Sequence, residues 1–206
     1  MTPLRRGTAC FLLSACWLLL HAAPAPGAQP ESARLVIDAA RSEVRFYLRA
    51  PRHDVVGRSQ SLSGAVEIAA RSLSGASEGH ARVPVRSLKT GNKRRDRVMR
   101  GILEADAHPD VSFVADSFEA DPGEGLGDGR WRGVVHGTLR VRGVSRAVDF
   151  RITGRVEEDG LHARGSGAFP LTYFGIDPPR FLRFLKVRDH VRVEFDVVAV
   201  PAAGPL

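Results

Sequence analysis

Histidine and carboxylate side chains are the groups in this chain that could act as acids, bases or metal ligands. No two of the histidines beyond residue 28 lie two to four residues apart, the spacing that would let one strand or helix turn both toward one metal ion. We therefore predict exposed histidines in strands or loops and no metal site, with a site assembled from distant strands as the alternative. The six residues are His53, His80, His108, His136, His162 and His190.

Signatures of nucleophilic and phosphate chemistry are weak. A phosphate-binding glycine loop followed by Lys-Ser or Lys-Thr is missing from the sequence, and we expect no nucleophile elbow either. His53 and Asp54 are adjacent in a predicted loop and could form an acid–base pair there. We predict that the protein is not an enzyme and has no cofactor, and we keep a hydrolase or isomerase that uses this pair as the alternative.

The segment KRRDRVMR holds five cations and one aspartate in eight residues. Asp96 lies four residues before Arg100, the spacing of a helical ion pair worth tenths of a kcal/mol. One interpretation is a solvated helix face with a structural aspartate. The other is contact with anionic lipid headgroups, worth roughly 1 kcal/mol per cation. The cations of the cluster are Lys93, Arg94, Arg95, Arg97 and Arg100.

Nucleic acid is not a partner that this charge distribution favours. The formal net charge is +7, but the cations are spread along the whole chain rather than gathered into one tract. Without Arg5 and Arg6 of the leader described below, the charge is +5. That excess favours anionic surfaces in general.

Alternation of apolar and charged residues with a period of two dominates the chain and predicts half-buried antiparallel strands. A sheet of eight such strands with one apolar face must close into a barrel or fold into a sandwich. The alternating segments cover residues 42–50, 61–70, 80–87, 110–116, 130–143, 146–156, 160–171 and 190–200.

One short helix is predicted between two of these strands. Asn92 is its expected N-cap, and the helix should end between Gly101 and Ala105. At helical spacing its apolar residues share one face, which could cover an open barrel end or a sheet edge. These residues are Val98, Met99, Ile102 and Leu103.

Five glycines lie at inward positions of the predicted strands. Glycines there mark either the curvature of a barrel or interior space for a ligand. The sequence leaves both interpretations open for Gly64, Gly133, Gly137, Gly165 and Gly167.

The first 28 residues have the pattern of a signal peptide: MTPLRR is basic, the next 17 residues are apolar, and PAPGAQP offers a cleavage region near Ala28. We predict a periplasmic or secreted domain of residues 29–206, with lipid attachment at Cys16 as the alternative. Both cysteines, Cys10 and Cys16, lie in this leader, so the domain should have no disulfide.

An ordered set of segments resembles the YceI-like family of bacterial polyisoprenoid-binding proteins. The set comprises LVIDAARSEVRF, SLSGAVEI, SLKTGNKRRDRVM, HPDVSFVADSF, GTLRVRGVSRAVDF, FPLTYFGIDPP and VRDHVRVEFDVVAV, spanning about residues 35–200. The sequence departs from the family at Arg142, where His is frequent, and at GILEAD, where a Phe-rich turn is usual. The resemblance implies a closed, eight-stranded, lipocalin-like antiparallel barrel whose hydrophobic tunnel holds an isoprenoid chain without catalysis.

Ten apolar residues are the candidate lining of such a tunnel, with an ordinary core role as the alternative for each. They are Phe46, Leu48, Val111, Phe113, Leu139, Val141, Phe150, Phe169, Phe174 and Phe195. The segment from Tyr173 to Val187 is too apolar for open solvent and should be a packed lid or a portal with an interfacial membrane contact.

The function that these patterns favour is storage or transport of a quinone or polyprenyl lipid by an exported binding protein. A ligand-free, stress-protective module with a fully packed interior is the remaining alternative beside the hydrolase or isomerase. The oligomeric state is left open.

Overall fold

The computed structural model describes residues 32–50, 54–69, 79–122, 129–178, 180–181, 185–186 and 188–202. Within these ranges, one helix, α1 (Lys93–Ile102), accompanies the strands. The strands are β1 (Ser32–Ile37), β2 (Glu43–Leu48), β3 (Val55–Ser59), β4 (Ser63–Ala69), β5 (Gly79–Pro84), β6 (Asp110–Ala120), β7 (Arg130–Val141), β8 (Val144–Glu157), β9 (Gly160–Phe169), β10 (Arg180–Phe181), β11 (Leu185–Lys186) and β12 (Val191–Pro201).

The sheet closes into a barrel with eight positions. Neighbouring strands follow the order β1-β4-β5-β6-β7-β8-β9-β12, and β12 pairs back with β1. Beyond β1, β12 pairs with β2, and β2 pairs with β3, so two barrel positions each consist of two short strands. All of these pairs are antiparallel. The predicted closed eight-stranded barrel is therefore confirmed, although the alternation revealed neither β1 nor β3.

A 3-10 turn at Ala39–Arg41 separates β1 from β2 without opening the barrel. The Asp38 side chain caps this turn by accepting from Ala40 N at 3.0 Å. Opposite this turn, both backbone polar groups of Val198 are hydrogen-bonded. The Val198 N–H donates to the buried Ser42 Oγ at 3.1 Å, and the Val198 carbonyl accepts from Asp38 N at 2.9 Å. The Ser42 hydroxyl thus takes the place of one backbone hydrogen bond between the strands.

The inner faces of the strands form one apolar core with an aromatic centre. Phe150 lies edge-to-face against Phe113 and Phe195, with ring centroids 5.2 and 5.5 Å away. Such pairs contribute about 0.5–1.5 kcal/mol beyond the area they bury. This aromatic cluster connects β6, β8 and β12 across the barrel interior.

Four of the five inward glycines lie beneath aromatic rings. A Cβ on Gly165 would lie 2.3 Å from Cζ of Phe195, and a Cβ on Gly137 would lie 2.4 Å from Cζ of Phe113. Gly133 and Gly167 stand in the same relation to Phe118 and Phe150, whereas a Cβ on Gly64 would meet the His80 carbonyl oxygen. The space beside these four glycines is therefore filled by the protein's own rings and is not ligand space.

Gly137→Ala should lower the free energy of unfolding by about 1–3 kcal/mol. The added Cβ would lie 2.3 Å from the Val114 carbonyl oxygen, a backbone contact that no rotamer change relieves. Gly101→Ala is the matched control, because its Cβ meets nothing within 4 Å and alanine favours the helix by up to about 1 kcal/mol. Urea unfolding of both variants measures the difference; equal stabilities would contradict the packing described here.

Candidate functional site

An apolar cavity of about 410 Å³ occupies the barrel interior. This volume is within the range of small-molecule pockets. Residues from all eight barrel positions and from α1 line it, and the polar ones among them are few. Those are His80, Thr90, Arg95, Ser112, Ser117 and the indole of Trp131.

All ten predicted lining residues face this cavity. Phe113, Phe150 and Phe195 form its aromatic centre, while Phe169 and Phe174 pack together near the end covered by α1, with ring centroids 5.3 Å apart. The others are Phe46, Leu48, Val111, Leu139 and Val141. Their role in binding a ligand stays a prediction.

Two large aromatic residues at the opposite end of the cavity were not among the candidates. Trp131 occupies an inward position at the start of β7, so the alternation already signalled it. Phe118 was hidden because the register of β6 against β7 shifts between Ala115 and Ser117, which reverses the alternation beyond that point.

Helix α1 has the predicted cap and apolar face. The Asn92 side chain accepts from the backbone N–H groups of Arg94 and Arg95, both at 3.0 Å. Met99, Ile102 and Leu103 line the cavity, and Val98 lies at its edge with 44% of its surface exposed. The helix thus forms part of the cavity wall at one end of the barrel.

Asp96 is a buried structural residue and has different partners from those the helical spacing predicted. It is 6% exposed and accepts from Thr90 N at 2.8 Å and from Thr90 Oγ1 at 2.5 Å. Burial raises the pKa of Asp96, but these hydrogen bonds and the nearby Lys89 and Arg100 outweigh burial, so its pKa lies below the usual value. Instead of the expected ion pair with Arg100, Asp96 makes two hydrogen bonds to Thr90, and these hold the turn before the helix in place.

Asp96→Asn should lower the free energy of unfolding at pH 7 by about 1–3 kcal/mol, because Thr90 then loses a charged acceptor. With its pKa lowered by folding, the carboxylate contributes stability above about pH 4, and this contribution is lost as the pH falls through the folded pKa. The difference between variant and parent should therefore shrink at pH 3. Asp106→Asn, at an exposed ion pair with Arg86, is the control, expected to cost less than about 0.5 kcal/mol.

The five cations of the cluster divide into two groups. Lys93, Arg94 and Arg97 are exposed, and we call them the basic face of α1. Arg95 is half-buried, donating from Nε to Thr90 Oγ1 at 2.9 Å and from a terminal nitrogen to the Thr90 carbonyl at 2.6 Å. Arg100, also half-buried, is 3.5 Å from the Arg86 carbonyl. Three of the five are thus available to an external partner.

The first part of the predicted lid is packed onto the barrel. Residues Leu171–Phe174 form a 3-10 turn, and Phe174 and Ile176 are 2% and 4% exposed in the core. Arg142 donates to the Gly175 carbonyl at 3.0 Å and pairs with Glu104, which follows α1. Arg146 donates to the Tyr173 carbonyl at 2.8 Å. The remainder of the segment contains β10 and β11, while residues 179, 182–184 and 187 lie outside the described ranges.

Of the histidines that the structure describes, His80 is the one among the residues that line the cavity, and it is exposed. His53 lies outside the described residues, and Asp54 is exposed one residue before β3. His136 lies on the outer wall, 2.8 Å from Asp149 and 3.4 Å from Glu119; the bond to Asp149 raises its pKa. The proposed acid–base pair therefore stays a prediction.

One turn between neighbouring strands does bring a histidine close to two carboxylates. Ligand atoms of Glu157, Asp159 and His162 lie within 4.8 Å of one another at the β8–β9 turn. Arg41 also pairs with Asp159, at 2.5 Å, and Arg155 pairs with Glu157. The chain's own cations therefore already neutralise these carboxylates.

Contrary to the sequence expectation, GASEG at residues 75–79 has the Gly-x-Ser-x-Gly spacing of a nucleophile elbow. An elbow lies between a strand and a helix. Here the pentapeptide lies between β4 and β5, and its last residue, Gly79, begins a strand. Residues 75–78 are outside the described ranges. The motif therefore lacks the strand-to-helix context that its chemistry requires.

A closed antiparallel barrel around an apolar cavity defines the lipocalin-like class of folds. The YceI-like domain model matches residues 35–199, and the chain belongs to this family. Within the described ranges, none of the helices has the length and hydropathy needed to cross a bilayer. Comparison with curated protein sequences gives no match.

Several solved structures share this fold at low sequence identity. Burkholderia cenocepacia BcnA is 20% identical, with a TM-score of 0.67 over 80% of this chain and 99% of that one. A polyisoprenoid binding domain from Saccharophagus degradans is 18% identical, with a TM-score of 0.62 over 83% and 99%. The Campylobacter jejuni YceI protein is 18% identical, with a TM-score of 0.57 over 74% and 87%.

Proposed function

We propose that this chain is an exported protein that holds a long isoprenoid-type lipid, a quinone or a polyprenyl lipid, in its barrel cavity for storage or transport and without catalysis. The observation that carries this proposal is the apolar cavity lined by residues from all eight barrel positions and from α1. The structural likeness to a polyisoprenoid binding domain adds support.

Hydrophobic burial alone is strong enough to retain such a ligand. A prenyl chain carries no charge, and burial of about twenty carbons at roughly 0.8 kcal/mol each gives a gross term near 16 kcal/mol. Ordering costs reduce this value, and measured affinities saturate not far above it. The aromatic and aliphatic lining therefore needs no catalytic group to perform this function.

Extraction and mass spectrometry of the protein purified from a bacterial periplasm tests the proposal. We expect a stoichiometric isoprenoid lipid and a polypeptide that begins near residue 29. A lipid-modified Cys16 would place the protein on a membrane instead. An empty protein that also fails to take up added isoprenoids would contradict the lipid function, and turnover of an added lipid would favour the hydrolase or isomerase.

The basic face of α1 offers a docking surface for lipid exchange at anionic membranes. Its three cations are exposed beside Val98, an exposed apolar residue at the cavity edge. Each cation near an anionic surface contributes about 1 kcal/mol. We propose that this face contacts anionic headgroups while the ligand moves between the cavity and the bilayer.

Replacing Lys93, Arg94 and Arg97 with glutamine should weaken binding to phosphatidylglycerol vesicles at low salt about a hundredfold, the result of losing roughly 3 kcal/mol. Arg95 stays unchanged because it holds Thr90. The control replaces Arg34, Arg151 and Arg155, which lie away from α1, and removes the same charge. Vesicle co-sedimentation measures both variants, and equal binding would remove the basic face from the proposal.

A further inference from the structure

Trp131 carries a buried hydrogen-bond donor at the end of the cavity opposite α1. The residue is 6% exposed and lines the cavity. Its Nε1 has no hydrogen-bond partner among the described residues. Buried tryptophan N–H groups normally find an acceptor, since this group can only donate.

The described surroundings of the Trp131 ring are apolar. The ring lies so close over Gly154 that a Cβ there would be 2.1 Å from Trp131 Cζ2. Phe118 packs edge-to-face against it, with centroids 5.4 Å apart. An unpaired buried donor is unfavourable. Because Trp131 is also a lining residue of the cavity, the geometry points to a ligand atom as the acceptor.

We propose that Trp131 Nε1 donates a hydrogen bond to an uncharged oxygen of the bound lipid. The ligand class is then an isoprenoid with a carbonyl, hydroxyl or ether oxygen, bound with its oxygen-bearing end remote from α1. A phosphate is disfavoured there, because Arg95, the arginine in the lining, belongs to the α1 end and a buried anion without a cation is costly. This inference rests on the proposed lipid-binding function and narrows its ligand.

Two probes of one shape test the hydrogen bond separately from hydrophobic burial. One is the C18 prenyl ketone farnesylacetone, and the other is the hydrocarbon in which a methylidene group replaces its oxygen. In full-length protein with Trp17→Phe, Trp131 supplies the one remaining indole, because the chain has two tryptophans. We expect the ketone to move the indole N–H proton resonance downfield and the hydrocarbon to leave it near its ligand-free position.

Calorimetry adds the energetic comparison. The ketone should bind about tenfold more tightly than the hydrocarbon, the typical effect of one satisfied buried donor. Trp131→Phe should reduce this ratio to about one. Val135→Ala, on the same strand as Trp131, removes apolar lining but no donor and should weaken both probes equally, leaving the ratio intact.

The outcomes distinguish the assignment of Trp131 as a donor from the lipid-binding function itself. Equal affinities with the same indole resonance for both probes would overturn the donor assignment and leave lipid binding standing; the N–H would then interact with the Phe118 ring. Failure of both probes to bind would overturn the lipid function and the donor assignment with it. The resonance measurement keeps Trp131 in place, so it remains decisive even if the substituted protein misfolds.

Discussion

Ala163→Phe should weaken isoprenoid binding about a hundredfold while leaving the barrel folded. Ala163 lines the cavity from β9, so a ring at this position takes up ligand space instead of displacing packed atoms. Displacing about four ligand carbons at roughly 0.8 kcal/mol each removes about 3 kcal/mol of binding, and each 1.4 kcal/mol is tenfold. Calorimetric titration with farnesylacetone measures the loss.

The same substitution on the other face of the strand is the matched control. Ala168 also lies on β9, but its side chain is exposed, so Ala168→Phe should bind like the parent. Thermal unfolding verifies that both variants are folded. Unchanged affinity in a folded Ala163→Phe variant would show that the ligand does not occupy this cavity.

Phe174→Ala should lower the free energy of unfolding by about 3–5 kcal/mol, the usual cost of removing a buried phenylalanine ring. Phe174 is 2% exposed and packs its ring on Phe169 where the lid meets the barrel. For a domain of this size, each kcal/mol corresponds to about 2–4 °C in melting temperature, so we expect a decrease of about 10 °C or more.

Tyr173→Ala, one residue earlier, is the control. It distinguishes the stability lost by removing a buried ring from that lost by removing any aromatic ring of the lid. Tyr173 is 41% exposed, and its ring contacts Phe174 and the Arg146 guanidinium at the surface. Its removal should cost less than about 1.5 kcal/mol. If both variants melt at the same temperature, the lid is not the packed element described here.

Short-range patterns carried most of the information about this fold. Period-two alternation located β2, β4 to β9 and β12, and the Asn92 cap located α1, because each signal lies within a few neighbouring residues. The alternation missed β1 and β3 because each strand also has an apolar residue on its outer face: Val36 is 39% and Val56 is 42% exposed. The Ser42 side chain that bridges the break between β1 and β2 bonds to Val198, which no local pattern connects to it.

The candidate site was predictable to the same extent. The inward residues of long strands were identified because alternation fixes which face they occupy. Phe118 escaped because a bulge reverses the alternation, and Asp96 was paired with Arg100 because helical spacing does not register Thr90 before the helix. What the sequence left undecided depends on tertiary contacts: ring placement over glycines, lid packing and the buried donor of Trp131.

The position of β12 in the barrel has a consequence for the order in which the protein folds. This last strand pairs with β9 on one edge and with both β1 and β2 on the other. β1 and β2 can pair early with β4 and β3, but each lacks its second partner until the C-terminus is available. Pairing across such a long chain separation is slow. A shortened chain would leave the edges of β1, β2 and β9 open as templates for aggregation. If the exported chain that we propose crosses the membrane unfolded, this arrangement postpones barrel closure until the C-terminus has crossed.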